Sequence, residues 1–176
     1  MKKWVLILLL AMFGLGRAYA QPGLNTEDTH SRLKAIYVYN FATLVDWPKE
    51  YKQGNFVIGV FGESKLYTEL VDKYSSKTIG SQHIAIKKFT HQSQITDCHI
   101  LYVTGSNSEK IAELTKKFKD KSTLIVSEKE GLLKSGSIIN FIVQGNKQTY
   151  ELSKTNATKH KLIIGSTLTN LAANVE

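Results

Sequence analysis

Cysteine, proline and long apolar runs are all scarce in this chain, and each scarcity removes a class of protein. One cysteine, Cys98, stands among 176 residues. No internal disulfide can therefore brace the fold, and the core must hold it unaided. Its apolar neighbours Ile95 and Ile100-Leu101-Tyr102-Val103 make it read as a buried small side chain. The two prolines are Pro22 and Pro48, and no linker, repeat or low-complexity tract appears. The longest apolar run, residues 4–13 with Gly14 and Leu15 closing it, falls short of the roughly 20 residues that span a bilayer as a helix. Catalytic and metal signatures are missing as well. The five histidines (His30, His83, His91, His99, His160) form no i, i+4 pair and no H-x-E or HExxH pattern, and no G-x-S-x-G elbow occurs. Gly59-Val60-Phe61-Gly62 lacks the spacing and the Lys-Ser/Thr ending of a phosphate loop, which leaves Gly62 the role of a tight turn. The residues announce no enzyme, metal site or cofactor.

What is present at the start is an address. Lys2 and Lys3 precede the apolar run and Ala18-Tyr19-Ala20 comes after it, the pattern of a secretory signal peptide over residues 1–20. A retained anchor is the alternative. Cleavage takes away Lys2, Lys3 and Arg17 and no acid, leaving 20 basic against 15 acidic side chains, a formal +5. Residues 21–176 suit one exported, periplasmic domain. The lysines are dispersed and not interleaved with stacking aromatics, so no nucleic-acid partner is expected. Weak attraction to anionic membrane surfaces fits the charge better.

Periodicity predicts an α/β fold. A helix capped at Asn25 or Thr26 runs to about residue 46, where Trp47-Pro48 stops it. Leu33, Ile36, Tyr37, Asn40, Phe41, Leu44 and Val45 form the expected inward face. Ala35, Val38, Tyr39 and Ala42 form a second stripe, wider than a surface helix needs. That stripe is expected either to be sandwiched or to meet a second subunit in a symmetric dimer. Strands at 55–61, 83–89, 99–103 and 123–126 alternate with helices at 64–74 and 106–119, which implies parallel crossover units. Segments 137–143 and 148–152, joined by Gln144-Gly145-Asn146-Lys147, read as an antiparallel hairpin. One or two helical turns within 153–161 and a closing helix at 167–175 complete the chain. The expectation is one three-layer domain, with a mixed sheet of about six strands between helices.

Polar residues at the strand ends (Glu63-Ser64, Thr104-Ser106-Asn107, Ser127-Glu128) line the place where such sheets bind ligands. Capping is the preferred reading of these residues. Asn40, Asn140 and Glu151 interrupt apolar runs, and each is expected to tie its element to neighbouring backbone.

Spaced motifs then resemble a known family. Lys34-Ala35-Ile36-Tyr37-Val38-Tyr39-Asn40-Phe41 with Trp47-Pro48 is similar to the opening helix of the YfiR-like family. Phe56-Val57-Ile58-Gly59-Val60-Phe61-Gly62, Cys98-His99-Ile100-Leu101-Tyr102-Val103 and Leu124-Ile125-Val126-Ser127 resemble its successive strands. Ser137-Ile138-Ile139-Asn140-Phe141, Tyr150-Glu151-Leu152-Ser153 and the closing segment 162–172 come next, in the same order. The resemblance implies an exported α/β domain without catalytic activity. It would act on the periplasmic sensor domain of an inner-membrane signalling protein, such as a diguanylate cyclase or sensor kinase, and so restrain cyclic-di-GMP output and biofilm formation. Disulfide bracing, known in the family, cannot be copied with Cys98 alone. Gly165 replaces a serine of the closing motif, and His160-Lys161 replace a small residue and glycine. The partner is expected to dock on the hairpin and the segment after it, at Phe141, Tyr150, Glu151 and Leu162, because aromatics dominate binding energy. A small-ligand carrier using the strand-end crevice is the second reading.

Overall fold

The computed structural model describes residues 26–176. The expected signal peptide and the leader to residue 25 lie outside them. The described residues form one domain around an eight-stranded mixed sheet, in the order β10-β8-β7-β6-β5-β2-β4-β3. Helix α1 (Thr26–Leu44) runs into a short strand β1 (Val45–Asp46). Next come β2 (Phe56–Phe61), α2 (Lys65–Tyr74), β3 (Thr78–Ile79) and β4 (Gln82–Phe89). Strand β5 (Ile100–Val103) leads through a 3-10 turn into α3 (Ile111–Lys117) and β6 (Leu124–Ser127). The hairpin β7 (Ile139–Gln144) and β8 (Lys147–Leu152), then α4 (Lys154–Lys159), β9 (Ile163–Ile164), α5 (Ser166–Leu171) and β10 (Asn174–Val175) end the chain.

Strands β4, β2, β5, β6 and β7 are parallel. Because side chains alternate across a strand, each feeds two cores. Ile58, Val60, Ile100, Tyr102, Leu124, Val126, Ile139 and Phe141 pack beneath α1 and α2. Phe61, Leu101, Val103 and Ile125 pack against Ile111, Leu114 and Phe118 on the opposite face. The three layers and the antiparallel hairpin are as expected, with two more strands in the main sheet than the six foreseen. Gly59 admits α3-side packing, since a Cβ there would stand 2.7 Å from the Phe89 ring. Gly62 has φ +104° and makes the tight turn after β2.

Three expectations are corrected. The helix ends at Leu44, and Val45-Asp46 pairs antiparallel with Ile163-Ile164; the expected closing helix stops at Leu171 and gives way to β10. The inward face of α1 is also shifted: Tyr37, Phe41 and Val45 of the expected face stay on the core, joined by most of the second stripe. Ala35, Val38 and Ala42 are sealed in the core with Phe41, and Tyr39 is half-buried and stacked on Tyr74 at 4.5 Å. Leu33, Ile36 and Leu44 point outward instead. Small residues let the helix settle close to the sheet between its aromatic neighbours, so the stripe read as a surface for a second subunit is core. Asn40 is half-exposed and closes no buried network.

The amino-terminal end of the sheet is knotted by polar side chains. Trp47 Nε1 donates to Ser122 O at 3.0 Å, and Ser122 N donates to Tyr51 Oη at 2.9 Å. His99 accepts from Val57 N at Nδ1 (3.0 Å) and meets Tyr51 O at Nε2 (2.8 Å), its ring stacked on Phe56. With Nδ1 an acceptor, the imidazole is neutral and carries its proton on Nε2. Cys98 beside it is buried, and burial pushes its thiol up to about 12, an inert core position.

Burial lowers the affinity of His99 for a proton, and that of His160, which bonds Lys121 O. A depressed histidine contributes nothing to the pH dependence above its unfolded value near 6.5. Below that value the unfolded chain takes up protons the folded chain resists, so stability falls. Thermal melts should therefore shift to lower temperature as pH drops from about 6.5 towards 5. His99→Gln, which keeps an acceptor and a donor without titrating, should flatten part of that slope.

Candidate functional site

The parallel sheet reverses direction of growth between β2 and β5, where a doubly wound sheet opens a ligand crevice at the carboxyl ends. Here that crevice is filled. A Cβ on Gly62 would lie 2.2 Å from Thr104 Oγ1 and 2.3 Å from Asn107 Nδ2. Asn107 Nδ2 donates to Thr104 Oγ1 at 3.0 Å, and Thr104 and Ser106 share a hydrogen bond of 2.9 Å. Ser64 caps α2 by accepting from Leu66 N at 3.1 Å, and Glu63 pairs with Lys88. Of the strand-end residues, these serve capping and packing.

The opening lies two strands along. Strand β6 ends at Ser127, paired with Asn140, while β7 continues to Gln144. The chain leaves the sheet after Ser127 and β7 does not, so a step is left in the sheet. A cavity of about 430 Å³ occupies it. Phe141, Ile142 and Val143 form its β7 wall, and Gln148 and Glu151 come from β8. The first turns of α1 supply His30 and Lys34, and the β6 exit supplies Glu128 and Glu130.

Glu128 fixes this corner. One carboxylate oxygen accepts from Lys34 Nζ of α1 and from Tyr102 Oη of β5; the other accepts from Gly105 N at 2.8 Å. Glu128 and Lys34 side chains are each 18% exposed. Burial, with the Glu128 charge beside it, holds the Tyr102 phenol well above its ordinary range, so it remains a donor. Lys34 Nζ also lies 6.0 Å from the centre of the Phe141 ring, a favourable cation–π placement.

Behind the β7 wall runs a buried polar chain. Ser127 Oγ donates to Asn140 Oδ1 and shares a hydrogen bond with Ser137 Oγ, both at 2.7 Å. Asn140 Nδ2 donates to Glu151 Oε2 at 3.3 Å, which brings the chain to the cavity. Asn140 is fully buried and satisfied, as expected from its setting between Ile139 and Phe141.

Of the four residues proposed from sequence as a docking surface, two meet here. Phe141 and Glu151 line the cavity. Tyr150 is fully buried against Phe41, donating to Leu168 O at 2.7 Å, and Leu162 is core beyond α4. Tyr150 shares a face with its cross-strand partner Phe141, opposite Glu151, but it lies one strand further from the step left by β6 and does not reach the cavity. His30, Lys34, Glu130 and Gln148 carry no local signal that marks them as site residues. Only the sheet order, which no local motif encodes, brings α1, β6 and β8 to one place. Among the described residues no group of three or more His, Cys, Asp or Glu could hold a metal ion. No described helix is long and apolar enough to cross a membrane.

The sequence profile of the YfiR/HmsC-like family matches residues 31–173. The chain belongs to that family. The match starts within α1 and reaches the residue before β10, so it spans the sheet and the cavity together. No curated protein matches the chain.

Removing the Glu128 carboxylate strands Lys34 and the Tyr102 hydroxyl in a part-buried site. Glu128→Ala should lower unfolding free energy by roughly 3 kcal/mol in equilibrium denaturation. Lys34→Met should cost less in the Glu128→Ala background than alone, because the two residues share one interaction.

Proposed function

We propose that this YfiR/HmsC-like chain is an exported regulator that binds the extracytoplasmic sensor domain of an inner-membrane diguanylate cyclase or sensor kinase and favours its inactive state. Such control needs only a difference in affinity for the receptor's two states. The observation that carries the reading is family membership across residues 31–173. The cavity supports it, because Phe141, Val143 and Glu151 line one opening at the β7 edge, which the buried chain through Asn140 and Ser127 holds in place. Within this reading the cavity face is the contact surface, and Tyr150 and Leu162 act only as its support. Deleting the gene should raise cyclic-di-GMP or change kinase output while the neighbouring receptor is intact. An unchanged signal overturns the reading. Glu151→Gln keeps an acceptor for Asn140 and removes one charge, so it should melt like the parent and yet bind the receptor domain more weakly.

A small-ligand carrier is the second reading, supported by a cavity volume within the roughly 300–1,000 Å³ typical of metabolite sites. Ligand binding would raise the melting temperature with concentration. A screen of nucleotides, amino acids and other metabolites that leaves the melting temperature unmoved removes this reading.

A further inference from the structure

The outer strand edges of the sheet and the step beside β7 are not equivalent as places for a partner to pair. The two terminal strands, β3 and β10, are only two residues long, the blunt ends that protect sheets from pairing. The outer side of β8 is occupied. Tyr150 O accepts from Ala173 N (2.8 Å), Leu152 O accepts from Glu176 N (2.9 Å), and Tyr37 Oη reaches Gln148 O at 3.4 Å. Two lengths remain: β4 beyond Ile84, whose outer edge carries the exposed Lys87 and Lys88, charges that guard a strand edge, and β7 beyond Asn140, residues 141–144, which has no β6 partner.

The direction of its main-chain groups is set by the register. Gln148, Tyr150 and Leu152 turn outward, so Thr149 and Glu151 face β7, opposite Ile142 and Asn140. Main-chain groups alternate along a strand. Phe141 and Val143 therefore turn theirs away from β8, into the step left by β6. Val143 is 53% exposed. The same space is the cavity, where Glu128, Glu130 and Glu151 stand against Lys34 and His30. Glu128 is already paired with Lys34, whereas Glu130 has no ion-pair partner among the described residues. An acidic recess thus flanks a free strand edge on a chain whose formal charge is +8.

We propose that β7 residues 141–144 form a docking edge for an extended, basic segment of the partner protein. The segment adds a strand in the line β6 abandons, bonding the main chain of Val143, and it places a lysine or arginine between Glu130 and Glu151. This is strand addition, in which main-chain bonds give affinity and side-chain pockets give specificity. It rests on the regulatory reading above, and names the chemistry of the partner for that site.

The test uses the purified extracytoplasmic domains of the diguanylate cyclase and of any sensor kinase encoded beside this gene. Amide hydrogen exchange of the parent chain, read by NMR with and without each domain, needs no variant to fold. Exchange at Val143 should slow about tenfold or more in the complex, as expected for a main-chain hydrogen bond newly formed. Val143→Pro removes the N–H at a position that does not bond β8, a place where an edge strand tolerates proline. It should weaken binding about tenfold or more, while Val143→Thr, which keeps the N–H, stays within about twofold. The Glu130→Gln, Glu151→Gln double variant should bind with a smaller dependence on salt than the parent. Binding that leaves Val143 exchange unchanged overturns the docking edge and leaves the regulatory reading standing, as does binding that Val143→Pro does not weaken. Slow Val143 exchange in the free chain that deepens with its own concentration gives the edge to a second copy and also overturns the proposal. Binding by none of the domains removes the regulatory reading, and this inference with it.

Discussion

The Glu128 carboxylate sits where three parts of the chain would otherwise drift apart. It accepts from α1 through Lys34, from β5 through Tyr102 and from the β5–α3 turn through Gly105 N. A carboxylate has acceptor sites for all three, and in a part-buried corner charged hydrogen bonds are stronger than neutral ones. This anchor sets the position of α1 over the sheet. Lys34 holds its first half, and the rings of Tyr37 and Phe41 pack against Phe141 and Tyr150 at centroid distances of 5.1 to 5.8 Å. At its far end the β1–β9 pairing and the Trp47 indole fasten the helix to the opposite edge of the core.

With α1 fixed at both ends, the step after Ser127 cannot be covered by a shift of the helix. The loop that leaves β6 is itself drawn towards β5 by Glu128, away from β7. The gap beside β7 therefore does not close and stays open as a cavity. The buried chain Ser137–Ser127–Asn140–Glu151 stiffens the hairpin wall from behind. Fully satisfied polar networks in a core specify one arrangement because any other leaves a group unpaired. No buried side-chain nitrogen or oxygen among the described residues lacks a partner.

Most elements were legible because their local signals agreed with the global fold. Apolar runs at β2, β5 and β6 alternate between two cores, the Gly145-Asn146 turn closes the hairpin, and Ser64 caps α2 where its sequence suggests. The failures share a cause. Hydrophobic size misled the reading of α1, where Ala35 and Ala42 face the sheet and Leu33 and Ile36 face solvent. Period alone gives the angle between two stripes and not which one is inward. The two-residue strands β1, β9 and β10 exist through partners far along the chain, so propensity could not announce them. Glu151 and Phe141, which line the cavity, stood out in the sequence as a polar residue and an aromatic in a hairpin. Lys34, Glu128 and Glu130 become neighbours only after the sheet order is set.

The family-like motifs divide into two kinds when placed on this structure. Trp47, His99, Tyr102 and Asn140 bond main chain or buried side chains, so they explain why a chain with one thiol holds the fold without disulfides. The cavity wall draws instead on residues between or beside the motifs, such as His30, Glu130, Val143 and Gln148, with Lys34, Phe141 and Glu151 crossing from one kind to the other. A fold built this way can exchange the exposed wall positions Glu130 and Val143 with little loss of stability, because the network that holds the step open lies one layer beneath them. Recognition of the fold therefore says little about which receptor is bound. In the proposed regulatory reading, that choice rests with the charge and shape of a recess whose supports are set elsewhere.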